Sequence, residues 1–108
     1  MKPVIIVTTV GAGFDAHTLA NELVDQRLAA CVNIIPQVYS VYRWQGGVEN
    51  DAEQLLLIKT SDERVEALRQ LLFERHPYEV PEFLVFEADG VSQGYRAWLL
   101  ESVALHSS

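Results

Sequence analysis

Cysteine is nearly missing from this chain: Cys31 is the only one among 108 residues. With no partner inside the chain it cannot form an internal disulfide, and a reduced, cytoplasmic setting is the simpler expectation. Basic residues are also scarce, with eight Lys and Arg against fifteen Asp and Glu and a net charge of −7. None of the eight forms a run, which argues against nucleic acid as a partner, because phosphate binding draws on clustered cations. Long apolar runs are absent too. No stretch approaches the roughly 18 residues needed to span a bilayer, so no membrane partner is expected. The opening MKPVIIVTTVGAG has one Lys before an apolar run, but the run is short and β-branched and has no A-x-A-like site. It reads as a first strand and not as a signal peptide. Histidine is limited to His17, His76 and His106, with no H-x-x-x-H or C-x-x-C pair. A structural zinc site within one chain is excluded by ligand count, although a site assembled between copies stays open.

What is present is an ordinary globular composition, 49% hydrophobic, and a length that fits one domain over residues 1–108. VIIVTTV (4–10) is a β-branched run closed by Gly11 and Gly13. The stretch 14–30 places Ala16, Leu19, Ala20, Leu23, Val24 and Leu28 at helical spacing, with Asp15 as its N-cap. CVNIIPQVYSVYRW (31–44) is strand-like, and Pro36 within it demands an edge or a bulge. Gly46 and Gly47 supply a tight hairpin into a partner strand, AEQLLLIKT (52–60). SDERVEALRQLLFERH (61–76) is a second helix, capped by Ser61, with Val65, Leu68, Leu71 and Leu72 inward and Pro77 as its stop. EFLVFEA (82–88) is a fourth strand. SQGYRAWLLESV (92–103) is a last helix, with Tyr95, Trp98 and Leu99 expected to face inward. The order β-α-β-β-α-β plus a helix predicts an α+β, ferredoxin-like sandwich with both long helices on one face of an antiparallel sheet.

The hairpin is too long for such a domain. A globule of this size has a radius of gyration of roughly 13 Å and a diameter near ~34 Å. Residues 31–44, extended at ~3.3 Å each, reach about 45 Å. The overhang carries Val38, Tyr39, Val41, Tyr42 and Trp44, and strand alternation sends these to both faces. An apolar ribbon without cover is an aggregation hazard, so copies of the chain are expected to shelter one another in a closed ring. The alternative is that Pro36 folds the ribbon back over its own sheet.

The chemical candidates are few. GAGFDA (11–16) fits G-x-G-x-x-A between strand and helix, but further βαβ units and the acidic residue about ~20 positions on are lacking, and it reads as a turn. Cys31 has no basic neighbours in sequence and reads as a small apolar filler. RHPYEVPE (75–82) is more pointed. Pro77 and Pro81 stiffen it, so His76, Tyr78 and Glu82 are held in set directions. A histidine beside a carboxylate could bind a divalent cation or exchange a proton. Against this, His76 could be a simple helix C-cap and Tyr78 a packing residue. Lys59 either anchors an anion or pairs with Glu82, and Trp44, Glu49 and Trp98 complete the amphipathic residues on regular elements.

Four segments together resemble one known family. RLAACVNIIPQVYSVYRWQGGVE (27–49), LLIKT (56–60), HPYEVPE (76–82) and GYRAWL (94–99) are similar to the CutA divalent-cation-tolerance proteins, in order and over nearly the whole chain. The resemblance implies a ferredoxin-like fold related in shape to the PII signalling proteins, a tight homotrimer, and a hairpin that wraps a neighbour. It implies a link to copper or another divalent cation, with no organic cofactor and no enzymatic reaction. At the positions of three family metal ligands this chain has Thr8, Arg75 and His76, so only His76 survives, and the copper site should be much weakened. By the same resemblance Tyr42, Trp44, Glu49, Lys59, Tyr78, Glu82 and Trp98, with His76, line a cleft between subunits. Two other readings stand beside it: a structural or regulatory trimer acting on a protein partner, and an enzyme with His76 as general base.

Overall fold

Hydrophobic alternation with a period of two sets the strands, and the same sheet supplies the platform for every helix. The computed structural model describes residues 1–105. The strands are β1 (Pro3–Gly11), β2 (Cys31–Trp44), β3 (Gly47–Ser61) and β4 (Leu84–Glu87). The helices are α1 (Ala16–Asp25), α2 (Val65–Arg75) and α3 (Gln93–Ser102), with a 3₁₀ turn over Asp62–Arg64 ahead of α2. The sheet runs β2-β3-β1-β4 with every neighbouring pair antiparallel. This is the expected split βαβ arrangement.

Register divides the sheet into two unlike faces. Val4, Ile6, Thr8 and Val10 lie opposite Thr60, Ile58, Leu56 and Gln54, and all eight are buried. Ile6, Val10, Leu56 and Ile58 pack with Leu19 and Leu23 of α1 and Leu68 and Leu72 of α2 in one core. On the other face Ile5, Val7, Leu55 and Leu57 are only half-buried, and Leu84 and Phe86 of β4, opposite Val7 and Ile5, are exposed. Cys31 is opposite Lys59 on this second face and is half-buried, not a core filler.

Several boundaries differ from the sequence reading. Helix α1 stops at Asp25 because Arg27 takes a left-handed conformation (φ 60°), and the amides of Leu28 and Ala29 both return to the Leu23 carbonyl. Leu28, Ala29 and Ala30 are still buried, as a turn and not as a last helical turn. Asp15 does cap α1, accepting from the Thr18 amide at 3.1 Å. Ser61 does not cap α2: its Oγ is buried without a partner among the described residues, and the 3₁₀ turn intervenes. Strand β3 begins at Gly47 and not at 52, because pairing with β2 carries Glu49, Asn50 and Asp51 in the ladder despite their weak strand propensity. Strand β4 is shorter than 82–88. In α3 only Leu99 of the three predicted inward residues is buried; Tyr95 and Trp98 are 40% and 48% exposed. Their rings pack on each other at 5.4 Å instead of entering the core.

The hairpin overhangs as expected. The molecule is 48 Å in its longest dimension with a radius of gyration of 14.8 Å. Pro36 sits on an edge strand at a bulge, where three steps along β2 from Ile35 to Val38 match two along β3 from Leu55 to Glu53. The tip turns on Gln45 (φ 49°) and Gly46 (φ 83°), the paired left-handed conformations of a type I′ turn. Past the bulge the two faces of the ribbon differ. Tyr39, Val41 and Val48 are exposed on the side of the helices, which do not extend that far, and Tyr39 is 78% exposed. Tyr42, Glu49, Asp51 and Glu53 share the opposite side.

Candidate functional site

The end of α2 and the segment after it fix one wall of a cleft. Arg75, last residue of the helix, forks onto Glu22 of α1, with Nε 3.1 Å from Oε1 and Nη2 2.9 Å from Oε2. His76 then turns extended (φ −69°, ψ 133°) before Pro77, while its amide still donates to the Leu72 carbonyl. Both ring nitrogens are engaged. Nδ1 accepts from the Tyr78 amide at 3.2 Å, so the proton resides on Nε2, which donates to the Thr9 carbonyl at 2.9 Å. The Thr8 hydroxyl lies 3.3 Å from the same Nε2. This is a neutral imidazole used as a strut. Burial pushes its pKa below the usual histidine value, only partly opposed by the Thr9 carbonyl and the Glu53 carboxylate.

From this strut the chain passes the free edge of β1, beyond the last residue paired with β4. Tyr78 crosses beside Gly11 and donates its hydroxyl to Glu53 Oε2 at 2.5 Å. Glu53 is 7% exposed. Glu82 follows Pro81, and burial, then the Glu53 charge, raise its carboxyl above the ordinary range. Across the gap Tyr42 donates to Asp51, which raises the Tyr42 phenol to about 12. The walls enclose a cleft of about 720 Å³, whose lining includes Tyr42, Trp44, Glu53, Tyr78, Glu79 and Glu82. Among the described residues no Lys, Arg or His lines it.

The structure sorts the candidates from the sequence into groups. Tyr42, Trp44, Tyr78 and Glu82 meet in the cleft, and Glu49 stands opposite Tyr42 on the ladder. His76 braces the wall from behind. Lys59 is six residues along β3 from Glu53, about 20 Å at ~3.3 Å per residue. There its Nζ lies 5.9 Å from the Tyr95 ring centre, beside a smaller hollow bounded by β1 and the start of α3. It does not pair with Glu82. Trp98 is on α3, away from the cleft. Glu53 went unnoticed in sequence, although Glu49, Asp51 and Glu53 recur with the period of a strand and so share a side.

The family metal ligands give a poor donor set in this chain. Thr8 is buried under the helices, Arg75 is committed to Glu22, and His76 has no free nitrogen. Among the described residues no three His, Cys, Asp or Glu side chains converge to hold a metal ion. These positions do not fit copper as the resemblance implied it.

Comparison with known proteins places this architecture. The family model described as CutA1 divalent ion tolerance protein matches residues 4–102. The divalent-cation tolerance protein CutA of Thermus thermophilus is 42% identical over 98 residues, 91% of this chain and 95% of that protein. A solved structure of the Thermus thermophilus protein has a TM-score of 0.90 at 40% identity, covering 94% of this chain and 99% of the other. The chloroplastic CutA of Arabidopsis thaliana is 40% identical over 92% of this chain, which spans only 54% of that longer protein. A structure from Archaeoglobus fulgidus, named a periplasmic divalent cation tolerance protein, has a TM-score of 0.90 at 26% identity, covering 94% of this chain and 99% of its own. With its sheet order, long hairpin and matched length, this chain belongs to the CutA1 divalent ion tolerance family.

Proposed function

We propose that the protein is a non-catalytic, ligand-binding component of divalent-cation response, assembled as a homotrimer, whose ligand is positively charged and enters the cleft between the hairpin and residues 76–82. One observation carries this reading: the carboxylate of Glu53 is almost fully buried at the cleft wall, beside Glu82, with no Lys or Arg among the described residues lining the space. A buried carboxylate without a counter-charge is costly, and a bound cation relieves it. The PII-like shape and the uncovered sheet face support self-assembly, with the cleft lying where a neighbouring copy could close it. The single cysteine supports a reducing compartment, taken as the cytoplasm, while relatives named chloroplastic and periplasmic place the fold in others.

Isothermal titration with copper, zinc and manganese chlorides tests the metal arm. Cation binding in the cleft predicts weakening of about tenfold or more in Glu53→Gln or Glu82→Gln, with His76→Ala affecting stability more than affinity. Saturable copper binding lost in His76→Ala and kept in both glutamine variants would move the site to the imidazole and sink this reading.

A further inference from the structure

We propose that the cleft accepts an organic cation, a small ammonium compound seated between Tyr42, Trp44 and Tyr78 with its charge toward Glu53 and Glu82. The proposal rests on the cleft being a cation site and names the chemical class of its ligand.

Size is the first argument. A metal ion needs several donors at about 2.0–2.6 Å, and the described residues bring no three such side chains together. A space of about 720 Å³ is instead in the range of small-molecule sites, roughly 300–1,000 Å³. The lining chemistry is the second. Three aromatic side chains line it, Val80 and Pro77 add apolar surface, and the ionisable groups of the lining are acids and phenols. Aromatic faces attract cations through the ring quadrupole and suit weakly hydrated ammonium groups better than strongly hydrated metal ions. The third argument is preorganisation. Tyr78 is held at its hydroxyl by Glu53 and at its amide by His76, between Pro77 and Pro81. Tyr42 is held by Asp51 on the opposite wall. Both rings are thus fixed before a ligand arrives, which limits the entropy lost on binding.

Choline chloride is a suitable probe because its charge does not titrate, and its neutral carbon isostere is the control. Calorimetric titration of the assembled protein should show saturable choline binding, with the isostere at least about tenfold weaker. Trp44→Leu, at an exposed strand position, should weaken choline by a similar factor, and Glu82→Gln should weaken it without unfolding the cleft. Equal binding of the isostere, or choline binding indifferent to both substitutions, overturns the proposal. Metal binding sensitive to Glu53→Gln and Glu82→Gln without choline binding also overturns it but leaves the cleft as a cation site. Absence of both overturns the cleft reading itself.

Discussion

His76 spends both ring nitrogens on the fold, and this decides how it responds to pH. Its folded pKa lies below the unfolded value of about 6.5, so the native state prefers the neutral ring. The unfolded chain therefore binds the proton more readily. The contribution to stability is whole above about pH 6.5 and declines as pH falls below it. Thermal unfolding of wild type should lose ground between about pH 7 and 5, and His76→Gln should be less stable at pH 7 with a flatter profile over that interval. Parallel profiles would show that another group titrates. Glu82 has the opposite sign. Its folded pKa is raised, so the native state prefers the protonated acid, and the penalty grows as pH rises through the carboxylate range. Glu82→Gln should accordingly raise the melting temperature slightly at pH 7, with the gain gone near about pH 3.5, while it weakens the cation ligand. A residue that costs stability at working pH and lines a cleft points to a role in binding.

The elements with strong local signals were legible in sequence, and those set by tertiary pairing were not. Strand β1, both long helices, the Pro36 bulge and the stop at Pro77 follow from β-branching, 3.6-residue spacing and proline chemistry, all local. Glu49, Asn50 and Asp51 look like loop, and only the facing residues Tyr42, Val41 and Ser40 hold them in a ladder. The early end of α1 was hidden because Arg27 occupies the left-handed position where glycine is the usual signal. Half of the cleft was readable from HPYEVPE; Glu53 was not, since its meaning depends on which strand side Tyr78 reaches. The hairpin tip gives a direct check on this division. Gln45 sits at φ 49°, a conformation that disfavours most side chains and that asparagine tolerates. Gln45→Asn creates the Asn-Gly pair preferred in type I′ turns and should stabilise the protein by about 0.5 kcal/mol. The measurement is the urea midpoint at unchanged slope. A lower midpoint would mean that Gln45 makes contacts across copies that outweigh its backbone strain.

A single copy leaves two apolar surfaces without cover, and these govern the behaviour of the whole. One is the side of the sheet away from α1 and α2, where Ile5, Val7, Leu55 and Leu57 are half-buried and Leu84 and Phe86 stand open on the edge strand β4. The other is the ribbon surface of Tyr39, Val41 and Val48. At about 1.5–3 kcal/mol for each large side chain fully buried, covering the first surface alone offers a gross gain on the order of 10 kcal/mol. A free β4 edge beside it also exposes unpaired backbone groups, which invites a further strand. Closed symmetry satisfies every copy equally, whereas an open arrangement would polymerise an acidic protein that otherwise repels itself. Light scattering at micromolar concentration should therefore give a mass well above that of one 12.1 kDa chain, and three copies for the proposed trimer. Phe86→Glu places a charge on the edge-strand part of the first surface and should shift the mass toward the single chain and lower the melting temperature. Tyr39→Glu separates the two surfaces: dissociation there as well would show that the ribbon seals the assembly. A wild-type mass of 12.1 kDa under these conditions would mean that the sheet face is stable in water as it stands, and that the cleft operates within one chain.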